Sequence, residues 1–179
     1  MRSKSLLSAC ALMVLTNLVW GSSATEISYS LTSLGGASWQ YNYTVKNLSL
    51  SQAVKEFTIN FDADSCRNLA VVAPSPAGWD AIVMQPEPFL HDGGAYDALT
   101  SGGGILGGQN VSGFAVRFDW LGGGAPSSQL YNIVNPVTFE TIDSGTTVPE
   151  PATLSIMAMG SLLLARRRGL TQSSQRRKG

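Results

Sequence analysis

Trp39-Gln40-Tyr41-Asn42-Tyr43-Thr44-Val45-Lys46 alternates strictly between large apolar and polar side chains. A period of two puts Trp39, Tyr41, Tyr43 and Val45 on one face of an extended strand and the polar residues on the other. Phe57-Thr58-Ile59-Asn60-Phe61-Asp62 repeats the pattern, as do Ile27, Tyr29 and Leu31, then Phe114, Val116, Phe118 and Trp120. Tyr131 with Ile133 and Val137 with Phe139 continue it. Leu69–Val72 and Ala81–Met84 are short apolar runs that read as buried strands. No stretch in this region keeps a 3.6-residue apolar period over eleven residues, so the expected class is all-β. Seven or eight short strands, each with one apolar face, predict an antiparallel two-sheet sandwich, with a closed barrel as the competing arrangement.

Turn chemistry separates the strands at Gly35-Gly36, Asn47–Ser51, Pro74-Ser75-Pro76-Ala77-Gly78 and Gly122-Gly123-Gly124-Ala125-Pro126. The segment Gln85–Asn110, rich in glycine and holding Pro86 and Pro88, reads as one long loop with a single helical turn over Ala95–Leu99.

The charges divide the chain into unlike parts. Twelve Lys and Arg balance twelve Asp and Glu, giving a formal net charge of zero. Residues 1–24 carry Arg2 and Lys4 and no acid, +2. Residues 25–148 carry eleven acids against Lys46, Lys55, Arg67 and Arg117, −7. Residues 149–179 carry Glu150 against six cations, +5. An acidic body of this kind disfavours nucleic acid and anionic lipid as partners.

Residues 1–24 read as a secretory signal peptide: a cationic start, an apolar run from Leu6 to Val19, then Gly21-Ser22-Ser23-Ala24. Signal peptidase is expected to cut between Ala24 and Thr25. Leu7-Ser8-Ala9-Cys10 mimics a lipidation signal, but most of the apolar stretch follows Cys10, which is the wrong side for lipidation.

At the other end, Pro149-Glu150-Pro151 precedes an apolar stretch over 152–165 and then Arg166-Arg167-Arg168. Fourteen helical residues span about 21 Å, short of a hydrocarbon core of about 30 Å, so the single hydrophobic helix leans on snorkelling arginines. The arginines orient the C-terminus to the cytoplasm and Pro-Glu-Pro to the outside. Two prolines one residue apart make the tripeptide extended and accessible.

Val148-Pro149-Glu150-Pro151-Ala152-Thr153-Leu154, the apolar run and the arginine cluster together resemble the PEP-CTERM sorting signal over residues 148–168. The resemblance implies recognition and removal by an exosortase, a membrane transpeptidase. It also implies a host among exopolysaccharide-making Gram-negative bacteria. The same segment occurs on unrelated bodies, some ice-binding proteins among them. Gly169–Gly179 is an added basic cytoplasmic tail. The body is similar to a recurrent small PEP-CTERM type at Trp39, Tyr41, Tyr43, Asn47, Gly78-Trp79-Asp80 and Gly113-Phe114, which implies fold and export route only.

The organisation expected is therefore a signal peptide at 1–24, a β-sandwich at 25–147, the sorting signal at 148–168 and the tail at 169–179. Few residues of the body point to chemistry. His91 is the single histidine and Cys66 the body's single cysteine, too few for a zinc site, and no metal or cofactor is expected. His91 before Asp92-Gly93-Gly94 reads as a solvated loop, and Cys66 as buried or in a shielded loop, with pairing to another chain as the alternative. Gly102, Gly104 and Gly107 match a dinucleotide fingerprint in letters, but a strand and not a helix follows. Asp62-Ala63-Asp64 closes a strand in the manner of a calcium loop without being specific to one. Trp39 and Trp120 fall in register with core faces, which leaves Trp79 as the candidate glycan contact.

The expected function is that of an exported, exosortase-sorted surface or matrix protein with a structural or interaction role and no catalysis. It crosses the inner membrane and meets it only transiently on the way to the envelope, surface or matrix. Signal peptidase and exosortase are its processing partners and exopolysaccharide its candidate binding partner. A glycan-binding or calcium-dependent adhesin module is the alternative.

Overall fold

A computed structural model describes residues 23–151; the hydrophobic sorting helix expected at 152–165, Arg166–Arg168 and nearly all of the signal peptide lie outside them. Ten strands make two five-stranded sheets packed face to face. The first sheet runs β10 (Val148–Pro149), β1 (Thr25–Gly35), β2 (Ser38–Asn47), β7 (Asn110–Trp120), β4 (Cys66–Val71). The second runs β5 (Trp79–Met84), β6 (Gly94–Thr100), β3 (Glu56–Phe61), β8 (Leu130–Val134), β9 (Thr141–Thr146). Every pairing is antiparallel except β10 with β1. The two-sheet sandwich expected from the alternating faces is the architecture found.

Alternation places the core. Tyr41, Tyr43 and Val45 of β2 are buried and face Ile27 and Tyr29 across one pairing and Phe114, Val116 and Phe118 across the other. Tyr41 stacks on Phe118 at 5.2 Å between ring centroids and takes Tyr29 edge-on at 5.1 Å. From the opposite sheet come Phe57, Ile59 and Phe61, then Tyr96, Tyr131 and Ile133. Buried tyrosines require partners for their hydroxyls: Tyr41 donates to the Ser127 carbonyl at 2.6 Å and Tyr43 to Gln129 Oε1 at 3.2 Å.

Two sequence expectations are corrected. Gln85–Asn110 is not one loop, and Ala95–Leu99 is no helical turn. Gly94–Thr100 is an interior strand between β5 and β3, with Tyr96 and Ala98 fully buried. Interior position supplies hydrogen bonds on both sides, and Gly94 is required because a Cβ there would sit 2.7 Å from the Pro86 ring. Val137 and Phe139 are not a strand either. They are 82% and 78% exposed on a turn in which Phe139 donates its amide to the Asn135 carbonyl and takes a φ of +58°. The strand begins after it, at Thr141, so the count rises from seven or eight to ten.

Candidate functional site

The sorting tripeptide begins inside the fold. Val148 lies opposite Ser28 and Pro149 opposite Tyr29, in parallel with the outer edge of β1. The Glu150 amide donates to the Tyr29 carbonyl at 2.8 Å. In a parallel strand alternate residues turn their backbone groups to the same neighbour. With Glu150 turned toward β1, Pro149 and Pro151 fall at positions facing away, where the missing N–H costs no ladder bond. On the outer face, Thr44 of β2 donates its hydroxyl to Glu150 Oε1 at 3.3 Å. Ser28, between them on that face, is only 4% exposed. Just upstream, Thr147 is fully buried; its amide donates to the Gln129 carbonyl at 2.8 Å and its hydroxyl accepts from the Gln129 amide at 2.9 Å. The start of the tripeptide is thus held against the sheet instead of projecting from it as an accessible segment.

The expected signal-cleavage bond is built in as well. The Ala24 carbonyl accepts from the Leu48 and Ser49 amides at 2.9 and 3.0 Å, and Thr25 is 2% exposed. Asp143 Oδ2 accepts from the Ser23 and Thr25 hydroxyls, each at 2.7 Å, while the Tyr131 hydroxyl donates to the Thr25 carbonyl at 2.9 Å. Once β1 pairs, the Ala24–Thr25 bond is thus flanked on both sides by hydrogen-bonded groups. Burial alone would push the Asp143 carboxyl up, but the hydrogen bonds from Thr25 and Ser23 outweigh it and hold the group below the usual carboxylate range. A depressed folded value contributes stability that is present above the unfolded value of about 4 and is lost as pH falls through the folded one. Asp143→Ala is accordingly expected to cost about 1–3 kcal/mol at pH 7 and to flatten the acid limb of a stability–pH curve measured in urea.

Trp79 stands at the start of the edge strand β5, half-buried, with its ring edge-to-face on Phe114 at 5.1 Å and tilted against Phe57 at 5.9 Å. At least part of the ring is committed to the core. Trp79→Ala is expected to lower stability by about 2 kcal/mol, seen as a lower urea midpoint. Trp39 and Trp120 are likewise half-buried against the core.

A cleft of about 320 Å³ opens between the ends of β3, β4 and β7 and the segment before β8, lined among others by Asn60, Asp62, Cys66, Trp120 and Gln129. Several of its polar atoms already serve the fold. Asp62 Oδ1 accepts from the Asp64 amide at 3.1 Å and the Ser65 amide at 2.9 Å, and the Ser65 hydroxyl and amide hold its carboxyl below the usual range. The Gln129 side-chain amide donates to the Tyr41 hydroxyl and the Ser127 carbonyl. Cys66 is buried, and burial pushes its thiol up, which keeps it protonated and a poor nucleophile.

His91 is exposed at the end of a 3-10 turn (Pro88–Leu90). Gly102–Gly107 leads into β7 and not a helix, and Gly104 has a φ of +71° with space for a Cβ closed by the Val54 carbonyl at 2.5 Å. The glycine there serves backbone packing. Among the described residues no group of three or more His, Cys, Asp or Glu is placed to hold a metal ion, and no helix is long and apolar enough to cross a membrane.

No curated protein matches this chain. Among solved structures, the chitin-binding domain of Chi18aC from Streptomyces coelicolor is 23% identical over 61% of this chain and 90% of that one, with a TM-score of 0.41. A cohesin module from a Clostridium perfringens family 33 glycoside hydrolase is 9% identical over 72% of this chain and 98% of that one, with a TM-score of 0.43. At these values neither likeness says what the body binds. The C-terminal segment is different in kind: at residues 147–168 the chain carries the PEP-CTERM protein-sorting motif, whose first residues form the strand laid along β1.

Proposed function

We propose that this is an exported protein, processed by an exosortase at its C-terminal motif, whose body acts at the cell surface or in the surrounding polysaccharide matrix by binding or scaffolding and not by catalysis. The observation that carries the reading is the sorting motif at residues 147–168. The body supports it in two ways. Its charge of −7 over residues 25–148 repels anionic polymers, so neutral exopolysaccharide is the partner the electrostatics favour. Its histidine stands exposed on a turn and its cysteine is buried, which gives neither residue the setting of a nucleophile or base. Fractionation of cells carrying an epitope-tagged body, with and without the exosortase, tests the reading. The tag is expected in the surface or matrix fraction in the first strain and in the membrane fraction in the second. An identical distribution in both strains contradicts it.

A further inference from the structure

We propose that the sorting tripeptide is a removable edge strand: the folded body holds Pro149-Glu150-Pro151 closed on β1, and the processing enzyme obtains it by peeling it off. The inference rests on the sorting function proposed above and adds a conformational step to it.

Three observations carry it. The backbone of Val148 and Pro149 is in register with Ser28 and Tyr29, and the Glu150 amide is bonded to the Tyr29 carbonyl. The Glu150 carboxylate is clasped from the side by the Thr44 hydroxyl. The proline–glutamate–proline alternation matches an outermost strand, with the bonding residue facing in and both non-donors facing out, so the tripeptide also closes the sheet edge to any further strand. A protease-like active site needs its substrate extended and free of other partners. While the tripeptide is closed, its one N–H and the Glu150 carboxylate are engaged by the body.

Peeling has a natural limit. Thr147 is fully buried and tied to Gln129, whereas Val148 and Pro149 are exposed. Opening from Val148 onward breaks the backbone ladder that pairs Val148 and Pro149 with Ser28 and Tyr29, together with the Glu150–Tyr29 and Glu150–Thr44 bonds, and uncovers Ser28, and no core side chain moves. Four hydrogen bonds of ordinary net strength make the open form a minority of roughly one in thirty or fewer, which a transpeptidase can draw on. The apolar run begins at residue 152, directly after the tripeptide, so there is no spacer to present the motif away from the body. Freed residues 148–150 supply about 10 Å of extended chain instead.

The test uses the full-length chain in cells that make the exosortase, with Ser28→Cys and Val148→Cys placed opposite each other to lock the strand, and Thr44→Val to loosen it. Neither substitution alters the tripeptide. The oxidised double variant is expected to accumulate as uncleaved precursor, with cleavage at least about ten-fold slower than wild type and restored by reductant. Thr44→Val is expected to be cleaved about two- to five-fold faster. Wild-type cleavage rates in both the oxidised double variant and Thr44→Val overturn the proposal. Hydrogen exchange at the Glu150 amide of the purified full-length chain in detergent micelles reads the closed strand without the enzyme. Protection about ten-fold or more over an unstructured peptide, reduced in Thr44→Val, supports it; exchange at the unstructured rate overturns it. A wild-type chain that shows the protection yet is never cleaved removes the sorting function and leaves the strand standing.

Discussion

Replacing Phe57 by alanine is expected to destabilise the body by about 3–5 kcal/mol, the range for emptying a fully buried aromatic site. Phe57 is completely buried in β3, the middle strand of its sheet, between β6 and β8. Its ring meets Phe114 of the opposite sheet edge-to-face at 4.8 Å, and Tyr96 and Trp79 of its own sheet at 6.2 and 5.9 Å. Truncation therefore removes the transfer energy of the ring, three aromatic contacts and the filling of a site bounded by both sheets. Small domains hold a total of about 5–15 kcal/mol, so the variant spends a large part of it. Equilibrium urea denaturation checks this: the midpoint is expected to fall steeply with the slope unchanged. A stability loss of less than about 1 kcal/mol would mean that Phe57 is not a contact between the two sheets.

Asn47 is the second position of large effect, and its cost has a different origin. It is fully buried at the end of β2, where the chain leaves the sheet. Its side-chain amide donates to the Gln52 and Ile105 carbonyls, both at 3.0 Å, and its oxygen accepts from the Leu50 amide at 2.9 Å. One side chain thus ties the Asn47–Ser51 turn to the glycine-rich segment around Ile105, which itself bridges to Val54. Asn47→Ala strips the Gln52 carbonyl and the half-buried Leu50 amide of this partner, while the Ile105 carbonyl keeps the Val54 amide, for a total of about 2–4 kcal/mol. Asn47→Asp keeps the acceptor but cannot donate while ionised, and it buries a negative charge against two carbonyl oxygens. Burial raises a carboxyl pKa, so the folded protein binds the proton more tightly than the unfolded chain. The destabilisation of Asn47→Asp is therefore expected to be greatest at neutral and higher pH and to shrink as pH falls through the raised folded value. Urea midpoints at pH 4 and pH 7 read the sign; a defect equal at both shows that the site is not desolvated.

The strands legible in the sequence are those whose two faces differ sharply. Trp39–Lys46, Phe57–Asp62 and Phe114–Trp120 alternate large apolar and polar side chains, and all three lie in strands flanked by neighbours on both sides. Gly94–Thr100 escapes the same reading because its inward residues are Tyr96, Ala98 and Thr100 while Leu99 points outward, so the faces contrast weakly, and the glycines before it resemble loop punctuation. Thr141–Thr146 has a single large apolar residue, Ile142, and Gly145 is there because a Cβ would sit 2.7 Å from the Tyr131 hydroxyl. That constraint comes from a strand paired with it and leaves no periodic trace.

The sorting tripeptide is legible as a motif from local order alone: proline spacing, apolar run, arginine cluster. Its attachment is not, because the partners Tyr29 and Thr44 lie more than a hundred residues upstream and are ordinary strand residues. The same holds for Asp143, which meets Ser23 and Thr25 only through the sandwich. Composition and periodicity report what each segment buries; they do not report which edge receives residues 23–25 and 148–150.

The intact mass of the protein recovered from outside the cytoplasm of cells that make the exosortase tests the central claim most directly. The account predicts a chain that has lost the signal peptide at its start and the apolar run and arginine cluster at its end, with the body through Thr147 retained. A recovered chain that still contains residues 152–179 contradicts it.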